Sequence, residues 1–433
     1  MSESKAAKSP FLQFIKASAV GFFTRMRTYD NELRAIFILL VLCFANMITS
    51  VIGTFAIGIY LLCRKDAAAD IFRTGSNKPM FFFLALNAVI AVICRNFLGL
   101  LALAFVFAAS VCMTYFMQHI TRKSFEDMVT IFIGYSIIAS LYSIPEYLIG
   151  RLADEEYRCS STFINPLYYS YFIVFALLFC TYRIITVSKY RRIYIPALLL
   201  NSLSMILSGG RMPWAGLLSG LFIILLLKRE YKLLGIFSAF VAVLGLLMYF
   251  FPNINIFAGL RLDKIDVSYD GRKPYWEMAI RGIFDRPVFG HGLLGVLNDS
   301  MKSDHKFMEH FAREGFDILF TGKHFGWKMH AHNIILDSLY NYGLVGSLIL
   351  AGYILKKWLL LFKNCGYATN NPHFALLCGI IVSIAVNGMV DCEIVGLQTS
   401  VFSLLAFSMT GLYSGEKSAD VLYKLEPSAN NDE

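Results

Sequence analysis

Apolar blocks of about 20 residues, the length that crosses a bilayer, recur along the chain with short polar turns between them. They fall near 35–48, 51–63, 79–95, 98–118, 126–149, 166–185, 193–208, 212–227, 233–251, 332–355, 374–390 and 396–414. Hydrocarbon offers no water to satisfy backbone N–H and C=O groups, so such blocks must be helical. The pattern therefore predicts an all-α integral membrane protein with about twelve transmembrane helices. One interval breaks the rhythm. Between 252 and 330 the apolar positions Trp276, Ala279, Ile280 and Ile283 recur at helical spacing, and Phe307, Met308 and Phe311 mark a second, shorter helix ending near Gly315. That interval is expected to be one long outer loop with short amphipathic helices, and a loop of this length is seldom idle.

Charge sets the orientation, because short cytoplasmic loops carry the excess of lysine and arginine. Arg64, Lys65, Arg73 and Lys78 share one turn, Arg122 and Lys123 another, and Arg183, Lys189, Arg191 and Arg192 a third. Lys228, Arg229 and Lys232, then Lys356, Lys357 and Lys363, follow in strict alternation. The intervening turns, the long interval 252–330 aside, hold only Arg95, Arg151, Arg158 and Arg211. Both termini are thus expected in the cytoplasm, and the first two blocks are expected to form a hairpin. The resulting division is a cytoplasmic or interfacial tail over 1–34, spans 1–9 over 35–251, the extracytoplasmic loop over 252–330, spans 10–12 over 331–414, and a disordered cytoplasmic tail over 415–433.

Composition agrees with this class: 57% of residues are hydrophobic, 16% are charged, and the mean hydropathy is +0.58. The net charge of +9 is spread over inner loops and the N-terminal tail, where anionic headgroups account for it better than nucleic acid does. Phe11, Phe14, Ile15, Val20, Phe22 and Phe23 lie among the basic residues of that tail, as in an interfacial amphipathic segment. No small-residue cleavage site follows them, so a signal peptide is not expected. Most of the nine cysteines sit inside apolar blocks and no CxxC occurs, which argues against a disulfide framework or zinc knuckle.

Three places carry candidate chemistry. Ser208-Gly209-Gly210-Arg211-Met212-Pro213-Trp214 is a tight outer turn with an arginine at its tip, and a guanidinium fork suits phosphate oxygens at a membrane face. Asp270-Gly271-Arg272 precedes Tyr275 and Trp276. His330-Ala331-His332-Asn333 opens the block that continues through Asp337, Asn341, Gly343 and Gly346. Ionisable groups at a membrane boundary are costly unless they bind something, and a histidine there can accept a proton from an attacking hydroxyl. Six of the eight histidines lie between His291 and His332, but no HExxH is present and the spacing does not fit a metal site. His305, His310 and His324 read as solvated loop residues. Glu146, Asp391 and Glu393 are outer carboxylates that offer an alternative base.

In order and spacing, the blocks SGGRMPW, GRKPYWEMA with PVFGHGLLG, and HAHNIILDSLYNYGLVG, with the earlier STFINP at 161–166, resemble the signature blocks of the O-antigen ligase and O-antigen polymerase superfamily. The resemblance runs from about residue 160 to 350, while the first third matches only as a set of apolar spans. It implies a glycosyltransferase of the bacterial cytoplasmic membrane, active on the extracytoplasmic side. The donor would be an undecaprenyl diphosphate-linked glycan and the acceptor a sugar hydroxyl, with no cofactor and no metal. By the same resemblance, Arg211 and Arg272 match the arginines that hold the donor diphosphate and His332 matches the general base. His330, His291 and Asn333 are secondary candidates.

Polymerisation of surface polysaccharide repeat units is the favoured reaction. Ligation of the glycan to a lipid-core, protein or cell-wall acceptor is the alternative. A secondary transporter or flippase is the alternative of another class, since twelve spans would suit it. Against transport, the halves show no internal repeat and the charged residues collect at the outer face.

Overall fold

The computed structural model describes residues 24–73, 77–154, 157–187, 191–250, 265–303, 330–365, 371–389 and 397–414. The expected amphipathic tail before residue 24, the second loop helix around Phe307 to Phe311 and the polar residues 417–433 lie outside these. Every element among the described residues is helical: α1 (Asn31–Ala45), α2 (Met47–Cys63), α3 (Lys65–Arg73), α4 (Lys78–Ile93), α5 (Phe97–His119), α6 (Arg122–Ala153), α7 (Pro166–Thr186) and α8 (Arg191–Leu207). The second half adds α9 (Arg211–Leu227), α10 (Tyr231–Phe250), α11 (Ile265–Asp285), α12 (Gly295–Lys302), α13 (Ile334–Cys365), α14 (Pro372–Gly388), α15 (Leu397–Ser408) and α16 (Gly411–Ser414).

Helices occupy all twelve apolar blocks. Among the described residues four of them, Phe97–His119, Arg122–Ala153, Pro166–Thr186 and Ile334–Asn364, are each long and apolar enough to cross a membrane. The bent pair α2 and α3, 95° apart, qualifies as a fifth. The bend falls where the apolar run of α2 gives way to the charged, amphipathic Lys65–Arg73.

α1 and α2 form the expected hairpin. Asn46 is extended (φ −170°, ψ 175°) and its side chain caps α2 through the N–H of Thr49, while Thr49 Oγ1 donates to Leu42 O at 2.8 Å. The carbonyls left open at the end of α1 would be costly in hydrocarbon. Phe44 O accepts from the hydroxyls of Tyr135 and Thr162, and Cys43 O accepts from Gln398 Nε2.

The core is aromatic, with Phe44, Phe132 and Phe172 in mutual ring contact across α1, α6 and α7 and Phe402 of α15 joined to them through Phe172. A polar seam joins α6 to α8. Ser140 Oγ donates to Asn201 Oδ1 and Asn201 Nδ2 to Ser136 Oγ, and Ser143 meets Ser204; such bonds hold helices together where apolar burial discriminates little.

α9 and α14 approach each other backbone to backbone. A Cβ on Gly216 would lie 2.2 Å from Asn387 Oδ1, and Gly220 and Gly379 approach each other's carbonyl oxygens. The small residues let the two backbones approach, and the pairing of 216 with 387 and 220 with 379 makes the helices antiparallel. At its far end α14 is anchored by His373, whose Nε2 lies 3.0 Å from Glu126 Oε1, while Glu126 Oε2 pairs with Arg183 at 2.6 Å.

Candidate functional site

α8 stops at Ser208-Gly209-Gly210 because Gly209 adopts φ +60°, the left-handed conformation that ends a helix and that glycine adopts without strain. The turn is clamped from two sides. Ser170 Oγ donates to Ser208 Oγ at 2.8 Å, and Arg158 Nε donates to Ser208 O at 2.8 Å. Arg211 is then the first residue of α9. A cation at the positive end of a helix is disfavoured by the helix dipole, a repulsion that an anion bound there relieves.

STFINP has a structural explanation. Asn165 caps α7 through the N–H of Leu167, and Pro166 takes the first helical position, where its missing N–H costs nothing. Glu146 accepts from the backbone N–H groups of Ser160 and Ser161 at 2.9 and 2.8 Å and from the Tyr157 hydroxyl at 2.9 Å. Its carboxylate is therefore occupied in holding the turn before α7.

HAHN forms a compact turn ahead of α13. His332 has φ +53°, an uncommon conformation for a residue with a Cβ, of the kind that collects at functional sites. Asp337, 3% exposed, fixes the turn from below: its Oδ1 accepts the Ala331 N–H at 2.7 Å. The His332 N–H donates to His330 Nδ1 at 3.1 Å, which leaves that nitrogen as an acceptor, with Asp337 Oδ2 a further 3.6 Å away. Asn333 is used fully as a cap, accepting from Ile335 and Leu336 N–H and donating Nδ2 to Met389 O at 2.7 Å.

The block bearing Arg272 arrives on α11, which spans Ile265–Asp285 and so begins well before Trp276, the first apolar position of the predicted helical spacing. Tyr275 meets His332 edge-on, with ring centroids 5.2 Å apart and planes at 83°. Arg272 lies one helical turn before Tyr275, on the same face. Further along, a Cβ on Gly282 would overlap the Tyr340 ring, so α11 and the first part of α13 run side by side.

α13 breaks at Gly343 (φ 60°, ψ −172°), and the PVFGHG segment fills the break. Leu344 and Val345 donate to Pro287 O and Val288 O at 2.8 and 3.1 Å, and His291 and Gly292 donate to Tyr340 O and Asn341 O at 3.0 and 2.7 Å. Two blocks some fifty residues apart in sequence thus complete each other's backbone bonding. His291 is locked here. Its Nδ1 lies 2.6 Å from Asp299 Oδ2, its Nε2 lies 3.0 Å from Gly282 O, and its ring stacks on Tyr340 at 4.3 Å. Both nitrogens therefore face oxygen acceptors. Burial pushes the Asp299 carboxyl up, but hydrogen bonds from His291 and Tyr340 outweigh it and hold the group below its ordinary value.

His330, His332 and Asn333 thus share the turn at the start of α13, Arg272 lies one helical turn from the Tyr275 that meets His332, and His291 is held separately at the break in α13. Arg211 comes to the same end of the bundle by another route. Gly216 packs on Asn387 and Ile334 on Gly388, so the start of α9, the end of α14 and the start of α13 converge. Tyr275 and Asp337, already part of the candidate blocks, take supporting positions, as do Asp299 and Arg158, which their sequence surroundings did not announce. Asp391, Glu393, His305, His310 and His324 lie outside the described residues.

No curated protein matches the chain. Residues 196–351 match the family model described as O-antigen ligase, a region that holds Arg211, Arg272, His291 and the HAHN turn together. The match supports a likeness to the O-antigen ligase and polymerase superfamily over that part of the chain.

Proposed function

We propose that the protein is a multi-pass glycosyltransferase of the bacterial inner membrane, with about twelve spans, both termini in the cytoplasm and its site on the extracytoplasmic side. It transfers a glycan from an undecaprenyl diphosphate-linked donor to an acceptor sugar hydroxyl, and the favoured reaction is polymerisation of surface polysaccharide repeat units. The observation that carries this reading is the contact of Tyr275 with His332, which joins the block of Arg272 to the block of the candidate base.

In this mechanism the acceptor hydroxyl gives its proton to the His332 imidazole as its oxygen attacks the anomeric carbon. The bond from that carbon to the diphosphate breaks, and undecaprenyl diphosphate leaves with the electron pair. Charge builds on the leaving group, where Arg211 and Arg272, held in place beforehand, stabilise it more in the transition state than in the ground state. General base catalysis of this kind contributes about 10²- to 10⁴-fold. His330, Asn333 and Asp337 hold the His332 turn, and His291 supports α13 beneath it.

Ligation is the second reading, since it uses the same donor chemistry and differs only in the acceptor. Glycan analysis of cells lacking the gene separates the two. Single repeat units still attached to their acceptor, without long chains, indicate polymerisation. Full-length polymer accumulating on undecaprenyl diphosphate indicates ligation, and unchanged glycans overturn both.

A further inference from the structure

α11 changes character along its exposed face. Lys273, Glu277, Ile280 and Phe284 follow one another at spacings of three and four residues, on one side of the helix. That side is polar at its start and apolar at its end, where Phe284 is 79% exposed. The opposite side already has its partners, since Ala279, Met278 and Ile283 pack with Val296, Ala331, Tyr340 and Leu336. Ile280 and Phe284 therefore contribute nothing to that cluster.

The apolar end does not stop at Phe284. Val288 and Phe289 follow, both exposed, and Pro287 and Val288 bond to the backbone of Leu344 and Val345 beyond the break in α13. Leu344 and Leu348, four residues apart on that span, are 53% and 62% exposed. On the other side, the Arg286 guanidinium and Lys302 Nζ reach Cys94 at the end of α4, next to the exposed Ile93. An apolar stripe thus runs unbroken from the outward face of a membrane-spanning helix on to α11, with Arg281, Arg286 and Lys302 beside it.

We infer that the C-terminal half of α11 and the turn Pro287–Phe289 are immersed in the outer leaflet, with phospholipid acyl chains covering Ile280, Phe284, Val288 and Phe289. The continuity with α13 identifies the occupant, because the same chains cover Leu344 and Leu348. The basic residues beside the stripe suit anionic headgroups. The polar start of the helix, with Arg272, then stands at headgroup depth. This assignment does not depend on the transferase reading.

The test places a small fluorescent amino acid at 277, 280 or 284 of the full chain and reconstitutes each variant into phospholipid vesicles free of polyprenyl lipid. Positions 280 and 284 should be quenched several-fold more by acyl-chain-brominated lipid than position 277, which should instead respond to aqueous iodide. Equal iodide access at all three positions overturns the inference. So does quenching at 280 and 284 that appears only after undecaprenyl phosphate carrying a bromine label is added, which assigns the stripe to a polyprenyl tail. Using two apolar positions, both exposed, keeps the result readable should one label disturb folding.

Discussion

Tyr275 on α11 stands edge-on to His332 in the turn before α13, ring centroids 5.2 Å apart. An aromatic contact of this geometry contributes about 0.5–1.5 kcal/mol beyond buried area, and it holds the imidazole in one orientation. Tyr275→Ala should therefore lower turnover by about two- to tenfold with donor affinity little changed, whereas Tyr275→Phe keeps the ring contact and most of the rate. Steady-state kinetics of the two variants separate these outcomes.

His332→Ala should reduce turnover by about 10²- to 10⁴-fold, the range expected for loss of a general base, while membranes still bind donor. Normal turnover in that variant removes His332 from the chemistry.

Arg211→Lys and Arg272→Lys keep charge but lose the bidentate fork. Each should lower turnover, and the alanine variants should lower it further, by about 10²- to 10³-fold as for other groups that stabilise charge in a transition state. Activity in the lysine variants equal to the wild type would mean that point charge alone is sufficient.

Gly216→Leu introduces a side chain where even a Cβ meets Asn387 Oδ1 at 2.2 Å. The α9–α14 pair must separate, and the melting temperature in detergent should fall, with a cost of about 1–3 kcal/mol or more. Gly343→Ala adds the strain of φ +60° to a clash with Val288 O at 2.4 Å, a penalty of about 1–3 kcal/mol for the backbone alone. Proteolysis of the 286–295 segment should speed up in that variant.

The Asp299 carboxyl titrates below its ordinary value of 3.8 in the folded chain. Its contribution is complete above the unfolded value and disappears as pH falls through the folded one. Hydrogen exchange at Tyr340, Asn341 and Gly292 should therefore accelerate on acidification below about pH 4, and Asp299→Asn should abolish that acid dependence.

The helices of all twelve blocks were legible because bilayer length and apolar composition act locally, although among the described residues four of them, or five with the bent pair α2 and α3, are long and apolar enough to cross a membrane. The hairpin at Asn46 was legible through loop charge. Arg272 and His332 were each visible as ionisable groups close to apolar blocks, but the contact of Tyr275 with His332 was not, because nothing local relates α11 to the turn before α13. The break at Gly343 was hidden for the same reason. A glycine inside YNYG leaves the apolar run intact, and what it needs is PVFGHG, whose N–H and C=O groups replace those the helix loses. His291 illustrates the limit from the other side. By resemblance it was a secondary candidate, and nothing local told that Asp299, Gly282 and Tyr340 would face both nitrogens and one face of its ring.

The central claim is transfer from a lipid diphosphate donor, with arginine and histidine doing the chemistry. Its most direct test reconstitutes the purified full chain in vesicles with an undecaprenyl diphosphate-linked glycan and follows release of undecaprenyl diphosphate together with growth of the acceptor glycan. Both should occur with the wild type and fall together in Arg211→Ala, Arg272→Ala and His332→Ala. Retention of both products in all three variants, or no transfer by the folded wild-type protein to any repeat-unit or core acceptor, contradicts it.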